Sequence, residues 1–281
     1  MSVYHPVTFR SRAGWEAARF LAARGTFGMR RGSPLLPREV WDAAEPLVPE
    51  GGGLAVSRGN HPGRFFSLIF DDAGRSVAFV KVSRDTMGAR ALRAEREAVE
   101  RFAGYLPPPM LAPKVLRHSE GVLVFEAVEW RARAFPWRLP EDVAFAIGVF
   151  TRTASKSADG SGVAHGDFAP WNLLLTEAGW GVVDWEGLRT NAPPFFDIFH
   201  YLVQSTSELR RPFVRTIVEG LRGRGWIGDA IGAYAAGAEV DPSESGRYLR
   251  EYLRISLAEL GVDAPRRNTR VRSGLLEILG G

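Results

Sequence analysis

Residues 165–172 read HGDFAPWN, and the rest of the chain is interpreted outward from this stretch. It places His165, Asp167 and Asn172 at the spacing H-x-D-x-x-x-x-N. Twelve residues after Asn172, beyond a short predicted hairpin, the sequence VVDWEG brings a further aspartate, Asp184. Carboxylate and amide oxygens are the donors that Mg²⁺ prefers, so the two motifs together indicate a site for a metal-bound polyphosphate.

The H-x-D-x-x-x-x-N spacing is that of a kinase catalytic loop, with Gly166 where protein kinases have arginine. Asp184 takes the position of the second metal-binding carboxylate, followed by Trp-Glu in place of Phe-Gly. In phosphoryl transfer an amide oxygen and a carboxylate hold Mg²⁺ against the phosphates, while another carboxylate aligns the attacking hydroxyl. The competing interpretation is that His165 and Asn172 only satisfy backbone groups in a turn.

A lysine and a glutamate upstream provide an independent test of this reading. Lys81 is one of only three lysines in the chain and lies in the predicted strand SVAFVKVS, where an unpaired ammonium is costly. On the following predicted helix, apolar residues such as Leu92 and Val99 define a buried face, and Glu95 lies at its centre. Glu97 points to nearly the opposite side. We therefore expect Lys81 to meet Glu95, either as a phosphate-binding pair or as a simple buried ion pair.

The turn SRGNHPGR at residues 57–64 would cover the phosphates of a nucleotide, with Gly59 and Gly63 allowing close backbone approach. It does not match G-x-G-x-x-G, and an ordinary glycine-containing hairpin turn explains it equally well. No P-loop motif occurs in the chain.

The pattern of apolar residues and turns predicts an α+β fold of two lobes. Strands at 54–57, 65–70 and 76–83, a helix at 86–103 and a strand at 121–128 form an N-lobe of antiparallel sheet plus helix. From residue 140 the pattern is mainly helical, with an inserted hairpin at 173–184. We predict three regions. They are a helical N-terminal extension (1–50) with helices near 14–23 and 37–44, a nucleotide-binding N-lobe (51–128), and a helical C-lobe with the catalytic loop and acceptor site (129–281).

Composition excludes several classes of protein. The 281 residues are 45% hydrophobic and 24% charged, with no cysteine and a net charge of only +4. The hydrophobic and charged fractions are ordinary for soluble globular proteins. The absence of cysteine excludes thiol chemistry and disulfide scaffolds. The small net charge does not imply nucleic acid as a partner. No apolar stretch is long enough to span a membrane, and the N-terminus lacks a secretory signal pattern. We expect a cytoplasmic protein.

The sequence HGDFAPWNLLL followed by VVDWE resembles the aminoglycoside phosphotransferase and choline kinase family, small-molecule kinases with a protein-kinase-like fold. The likeness covers roughly residues 54–202. It implies that Asp167 is the catalytic base and His165 a structural support of the catalytic loop, a part it also gives to Asp197. The remaining implied roles are magnesium ligands (Asn172, Asp184), a nucleotide pair (Lys81, Glu95) and backbone contacts to adenine (Phe125, Ala127).

The predicted function is ATP- and Mg²⁺-dependent transfer of the γ-phosphate to a hydroxyl of a small molecule, with GTP left open as donor. Only thirteen residues separate Asp184 from Asp197, too few for the regulatory activation loop of a protein kinase. Residues 201–281 contain 12 arginines and 10 acidic residues, a balance of +2 that argues against a polycationic aminoglycoside as acceptor. Two alternatives stay open: a catalytically silent pseudokinase and a nucleotidyl (AMP) transferase on the same fold. The sequence identifies neither the acceptor nor the oligomeric state.

Overall fold

The computed structural model describes residues 37–59, 63–155, 162–261 and 265–280. The helix predicted near residues 14–23 lies outside these ranges. Within them, no helix is both long and apolar enough to cross a lipid bilayer.

Five antiparallel strands form the N-terminal sheet in the order β1–β2–β3–β6–β5. Helix α1 precedes the sheet, and helix α2 follows β3. Strand β3 alternates between two cores: Phe79 faces the α2 side, while Val80 and Val82 face the α1 side. The elements are α1 (Arg38–Ala44), β1 (Gly53–Arg58), β2 (Arg64–Phe70), β3 (Ser76–Ser83), α2 (Thr86–Phe102), β5 (Val115–Ser119) and β6 (Val122–Glu126).

Both faces of this sheet are therefore buried, which explains why β3 is an almost uninterrupted apolar run. Helix α1 belongs to the segment predicted as an extension, and it covers the outer face of the sheet with fully buried Val40 and Ala44. Helix α2 covers the inner face. It begins at Asp85, whose carboxylate accepts a hydrogen bond from the Gly88 N–H at 2.7 Å.

The C-terminal part is mainly helical and contains two small sheets. One joins β4 to the predicted hairpin in the order β4–β9–β8, and the other pairs β10 with β7. Its elements are β4 (Met110–Leu111), α3 (Glu141–Ala154), β7 (Gly162–Ala164), β8 (Leu173–Leu175), β9 (Trp180–Val182), β10 (Arg189–Ala192), α4 (Phe196–Gln204), α5 (Val214–Gly220), α6 (Gly225–Ala238), α7 (Ser245–Ala258) and α8 (Arg266–Ile278). The hairpin β8–β9 leads from the loop containing Asn172 to Asp184.

The predicted α+β, two-lobed architecture is confirmed, with strand and helix bounds within a few residues of those expected. Four strands were not predicted: β4, which lies within the proline-rich break, β5, which follows it, and the short pair β7 and β10. The predicted strand at 121–128 is shorter than expected and ends at Glu126.

Candidate active site

The loop between β7 and β8 is fixed from below by helix α4. The Asp197 carboxylate accepts hydrogen bonds from the backbone N–H groups of His165 (2.7 Å) and Gly166 (2.9 Å). Gly166 has φ +82°, and a Cβ built there would lie 1.8 Å from the Gly187 carbonyl oxygen. Glycine is thus required where protein kinases have arginine, because the DWEG segment packs directly against the loop.

His165 lies inside this loop as a packing residue. Its ring is fully buried and meets the Trp185 ring edge-on, with centroids 4.9 Å apart. Neither ring nitrogen has a hydrogen-bond partner among the described residues. Burial lowers the pKa of His165 against the opposing pull of the Asp197 and Asp167 carboxylates, so the ring is held neutral.

Asp167 and Asn172 are brought together by the tight turn of the loop. The Asn172 Nδ2 donates to the Asp167 backbone carbonyl at 2.8 Å and to the Asp167 Oδ2 at 3.0 Å. The Asn172 side chain is completely buried, yet its Oδ1 has no hydrogen-bond partner in the described part of the chain. A buried carbonyl oxygen left without a donor is costly, and a cation would satisfy it.

Asp184 follows strand β9 and lies beside Asn172. The Val183 N–H donates to the Asn172 carbonyl at 3.0 Å, which places the next residue, Asp184, against the catalytic loop. Asp184 adopts the left-handed backbone conformation (φ 69°), which only a few residue types tolerate. Its Oδ1 lies 2.6 Å from the Lys81 Nζ.

Lys81 and Glu95 form the contact that the sequence predicts. The Lys81 Nζ donates to both Glu95 carboxylate oxygens, at 2.7 and 2.8 Å, and both side chains are buried. Glu97 is exposed. Burial raises the pKa of Glu95 to about 7; the Lys81 ammonium opposes this shift and the Asp184 carboxylate adds to it. One ammonium is thus shared by two carboxyl groups, Glu95 and Asp184.

The residues present fit a magnesium ion delivered with a nucleotide. Asn172 Oδ1 and the Asp184 carboxylate supply two oxygen donors, which suit Mg²⁺ because this ion keeps water and phosphate ligands beside one or two protein ligands. The described residues contain no group of three or more His, Asp or Glu side chains that could hold a metal by themselves.

The other predicted nucleotide contacts lie in the N-terminal sheet and at the ends of its strands. Gly59 donates to the Arg64 carbonyl at 2.9 Å and Gly63 accepts from the Arg84 N–H at 3.1 Å, while residues 60–62 between them lie outside the described ranges. Phe125 pairs with Phe79 across the sheet. The Ala127 N–H donates to the Val77 carbonyl at 3.4 Å. The roles of these four residues stay predictions.

Two side-chain contacts of the site were missed from the sequence. His200 on α4 lies with its Nε2 2.9 Å from the Asp167 Oδ1. Arg64 at the start of β2 forms an ion pair with Glu186 at 2.9 Å, which joins the sheet to the segment just after Asp184. His200 could have been found from its spacing, since it lies three residues after Asp197 and so on the same face of the helix.

The central part of the chain matches a known family. Residues 124–240 match the family model described as the phosphotransferase enzyme family. No curated protein matches the chain by sequence.

Solved structures share the architecture of the chain at low sequence identity. The ADP-bound aminoglycoside phosphotransferase APH(2'')-Ib superimposes with a TM-score of 0.55 at 11% identity, over 86% of this chain and 97% of the other. Macrolide 2'-phosphotransferase type I gives 0.53 at 13% identity, over 88% and 99%. The fold is therefore the protein-kinase-like fold of these phosphotransferases, and the resemblance drawn from the HGDFAPWN and VVDWE motifs is confirmed.

Proposed function

We propose that the protein is an ATP- and Mg²⁺-dependent phosphotransferase that moves the γ-phosphate to a hydroxyl of a small molecule. The observation that carries the proposal is the buried and unpartnered Asn172 Oδ1, on a side chain that contacts the Asp167 carboxylate and whose backbone carbonyl accepts from Val183, the residue before Asp184. The matched phosphotransferase family model and the fold of the structural relatives support the same conclusion.

Each residue then has a chemical task. Bound Mg²⁺ would neutralise charge on the β- and γ-phosphates, held by Asn172 and Asp184. Lys81, kept in place by Glu95, would hold the phosphates of the nucleotide. Asp167 would accept a hydrogen bond from the acceptor hydroxyl and align it with the γ-phosphorus. A bond forms from that oxygen to phosphorus, the bond from phosphorus to the β–γ bridging oxygen breaks, and the hydroxyl proton passes to Asp167.

The acceptor is a small molecule in this proposal. The structural relatives include enzymes named for aminoglycosides and for macrolides. The excess of arginine over acidic residues in 201–281 favours an acceptor that is not a polycation.

The test is a phosphorylation screen of hydroxyl-bearing metabolites, aminoglycosides and macrolides with Mg²⁺·ATP, read by mass spectrometry. We expect one class of compound to gain a single phosphate. Asp167→Asn should lower kcat by a factor of about 10²–10⁴. The matched control is Asp229→Asn, an exposed aspartate on α6.

Two outcomes would overturn the proposal. Addition of AMP in place of phosphate would identify a nucleotidyl transferase. Mg²⁺·ATP binding without transfer to any compound, together with equal ATP turnover in the wild type and Asp167→Asn, would identify a pseudokinase.

A further inference from the structure

His200 contacts the carboxylate that the proposed function makes the catalytic base. Its Nε2 lies 2.9 Å from the Asp167 Oδ1, and the histidine side chain is only 11% exposed. The backbone of the same loop is held by Asp197, one helical turn earlier. One face of helix α4 therefore holds the catalytic loop at two points, by its backbone through Asp197 and by its reactive side chain through His200.

The contacts of the His200 ring indicate which of its nitrogens carries the proton. The Asp167 Oδ1 lies 2.9 Å from the Nε2, and the Tyr252 hydroxyl lies 3.4 Å from the Nδ1. An ionised carboxylate oxygen can only accept, so the contact with Asp167 requires a proton on the Nε2, and the Gln204 side-chain amide, 3.3 Å from the same nitrogen, then presents its oxygen to that N–H. The Nε2 then carries the ring proton and donates it to Asp167.

Buried polar groups lie behind His200. Arg272 is 2% exposed and donates to the Ser256 Oγ at 3.1 Å and to the Asn268 carbonyl at 3.2 Å, which fix its position on α8. Tyr252 is fully buried on α7. Tyr252, which contacts His200, and Ser256, which accepts from Arg272, both lie on α7, so polar contacts connect α8, α7 and α4.

The consequence for Asp167 is that both of its carboxylate oxygens are held before any acceptor arrives. Asn172 donates to Oδ2 and His200 to Oδ1. Burial raises the pKa of Asp167, but the hydrogen bonds from His200 and Asn172 lower it, and the pKa lies below its usual value. The carboxylate is kept ionised and in one rotamer, with a lone pair on each oxygen still available.

We propose that His200 is a positioning residue: its Nε2–H fixes the rotamer of the Asp167 carboxylate so that the acceptor hydroxyl meets one defined oxygen. This inference rests on the proposed function. The alternative is that His200 only packs, since its ring stacks on Phe196 (6.3 Å between centroids, 17°) and meets Tyr252 edge-on.

The kinetic test compares two substitutions, with Mg²⁺·ATP as substrate and water in place of the acceptor. His200→Phe keeps an aromatic ring and loses the donor, whereas His200→Gln keeps an N–H donor. We expect kcat for ADP release to fall on the order of 10- to 100-fold in His200→Phe, with the KM for ATP unchanged and most of the rate restored in His200→Gln. His118→Phe, at an exposed histidine, is the matched control.

Equal losses in His200→Gln and His200→Phe, accompanied by equal losses of thermal stability, would assign His200 to packing and overturn the inference. An unchanged kcat in His200→Phe would overturn it while leaving the proposed function intact. A wild type that neither releases ADP nor phosphorylates any compound of the screen would instead overturn the proposed function.

A second test, by NMR spectroscopy, uses only the wild-type protein, so it depends neither on enzymatic activity nor on the folding of a substituted protein. The ¹⁵N shifts of labelled histidine in the wild-type protein report the tautomer of each ring. We expect His200 as the Nε2–H tautomer at neutral pH, with an unprotonated Nδ1. An Nδ1–H tautomer would place no proton between His200 and Asp167 and would overturn the inference whatever the kinetics show.

Discussion

Lys81 forms ion pairs with two acidic residues of the site. Its ammonium contacts Glu95 and Asp184 at once, and its side chain is 3% exposed. Removal of one partner from a buried ion pair leaves an uncompensated charge, which costs far more than the pair contributes. Lys81 therefore has a stability role in the nucleotide-free protein beside the phosphate-binding role proposed for it.

We expect Lys81→Met to lower the free energy of unfolding by about 3–5 kcal/mol, because it leaves two carboxylates facing each other without a cation. Denaturant unfolding measures the change. Lys114→Met removes an exposed lysine and should change stability by less than about 0.5 kcal/mol. The double variant Lys81→Met/Glu95→Gln should recover part of the loss. Equal stability of Lys81→Met and Lys114→Met would contradict the stabilising role of Lys81 between the two carboxylates.

Glu95 predicts a pH dependence of stability. Its pKa is raised to about 7 in the folded protein, from an ordinary value of 4.5. Between these values the folded state keeps a proton that the unfolded chain has lost, so this stabilising contribution is complete below pH 4.5 and is lost as the pH rises through 7. Relative to Glu95→Gln, which cannot ionise, the wild type should lose up to about 1 kcal/mol per pH unit across this window.

The measurement is urea unfolding of the wild type and Glu95→Gln at several pH values between 4.5 and 7.5. Only the difference between the two proteins is used, since groups that do not interact with Glu95 titrate equally in both. A difference that stays constant with pH would show that Lys81 keeps Glu95 ionised throughout and would contradict the raised pKa.

At the scale of elements, the C-lobe depends on the close contact of helices α3 and α6. A Cβ built on Gly148 would lie 2.3 Å from the Tyr234 carbonyl oxygen, and one on Gly237 would lie 2.2 Å from the Phe145 carbonyl oxygen. Backbone meets backbone at this crossing, so the helices must separate to admit even a methyl group.

Gly148→Ala should therefore destabilise the protein by about 1–3 kcal/mol, despite the higher helix propensity of alanine. The matched control lies on the partner helix: Gly232 is exposed and a methyl group added there would meet no atom within 4 Å, so Gly232→Ala should stabilise by up to about 1 kcal/mol. Thermal unfolding shows whether each variant is more or less stable than the wild type. Stability changes of the same sign in both variants would contradict the close helix contact.

The elements show what the sequence could and could not predict. Strand β3 and helix α2 have clear apolar periods, and these periods were sufficient to place Glu95 against Lys81. Strand β5 was missed because it is an edge strand whose residues Arg117 to Ser119 are exposed and polar, so no alternation marks it. Strands β4, β7 and β10 are two, three and four residues long, too short for a period to appear.

The missed site contacts have the same physical origin. The hydrogen bond from His200 to Asp167 depends on how α4 packs beneath the catalytic loop, 33 residues away along the chain. The Arg64–Glu186 pair spans 122 residues. Motif spacing reports local geometry, and neither contact is local. The motif residues themselves were predictable because a turn with four residues between Asp167 and Asn172 brings the two side chains together.

At the scale of the whole molecule, the two lobes meet at the proposed nucleotide site. Lys81 and Arg64 belong to the N-lobe sheet, whereas Asp184 and Glu186 follow the hairpin of the C-lobe. Both ion pairs thus cross the cleft. A ligand that binds between the lobes adds contacts to both, so its binding should stabilise the molecule as a unit.

Mg²⁺·ATP should raise the midpoint of thermal unfolding, by an amount equivalent to about 2.7 kcal/mol at a concentration about 100 times Kd. EDTA should remove most of the rise, because Asn172 Oδ1 and Asp184 would then face the phosphates without a cation. Asp184→Asn should lose the magnesium-dependent part of the shift, whereas Asp229→Asn should keep it. A shift that is the same with and without EDTA would mean that the nucleotide binds without a metal, and it would contradict the role of Asn172 and Asp184 in holding magnesium. The EDTA comparison separates metal use from nucleotide binding, and it requires neither an acceptor nor turnover.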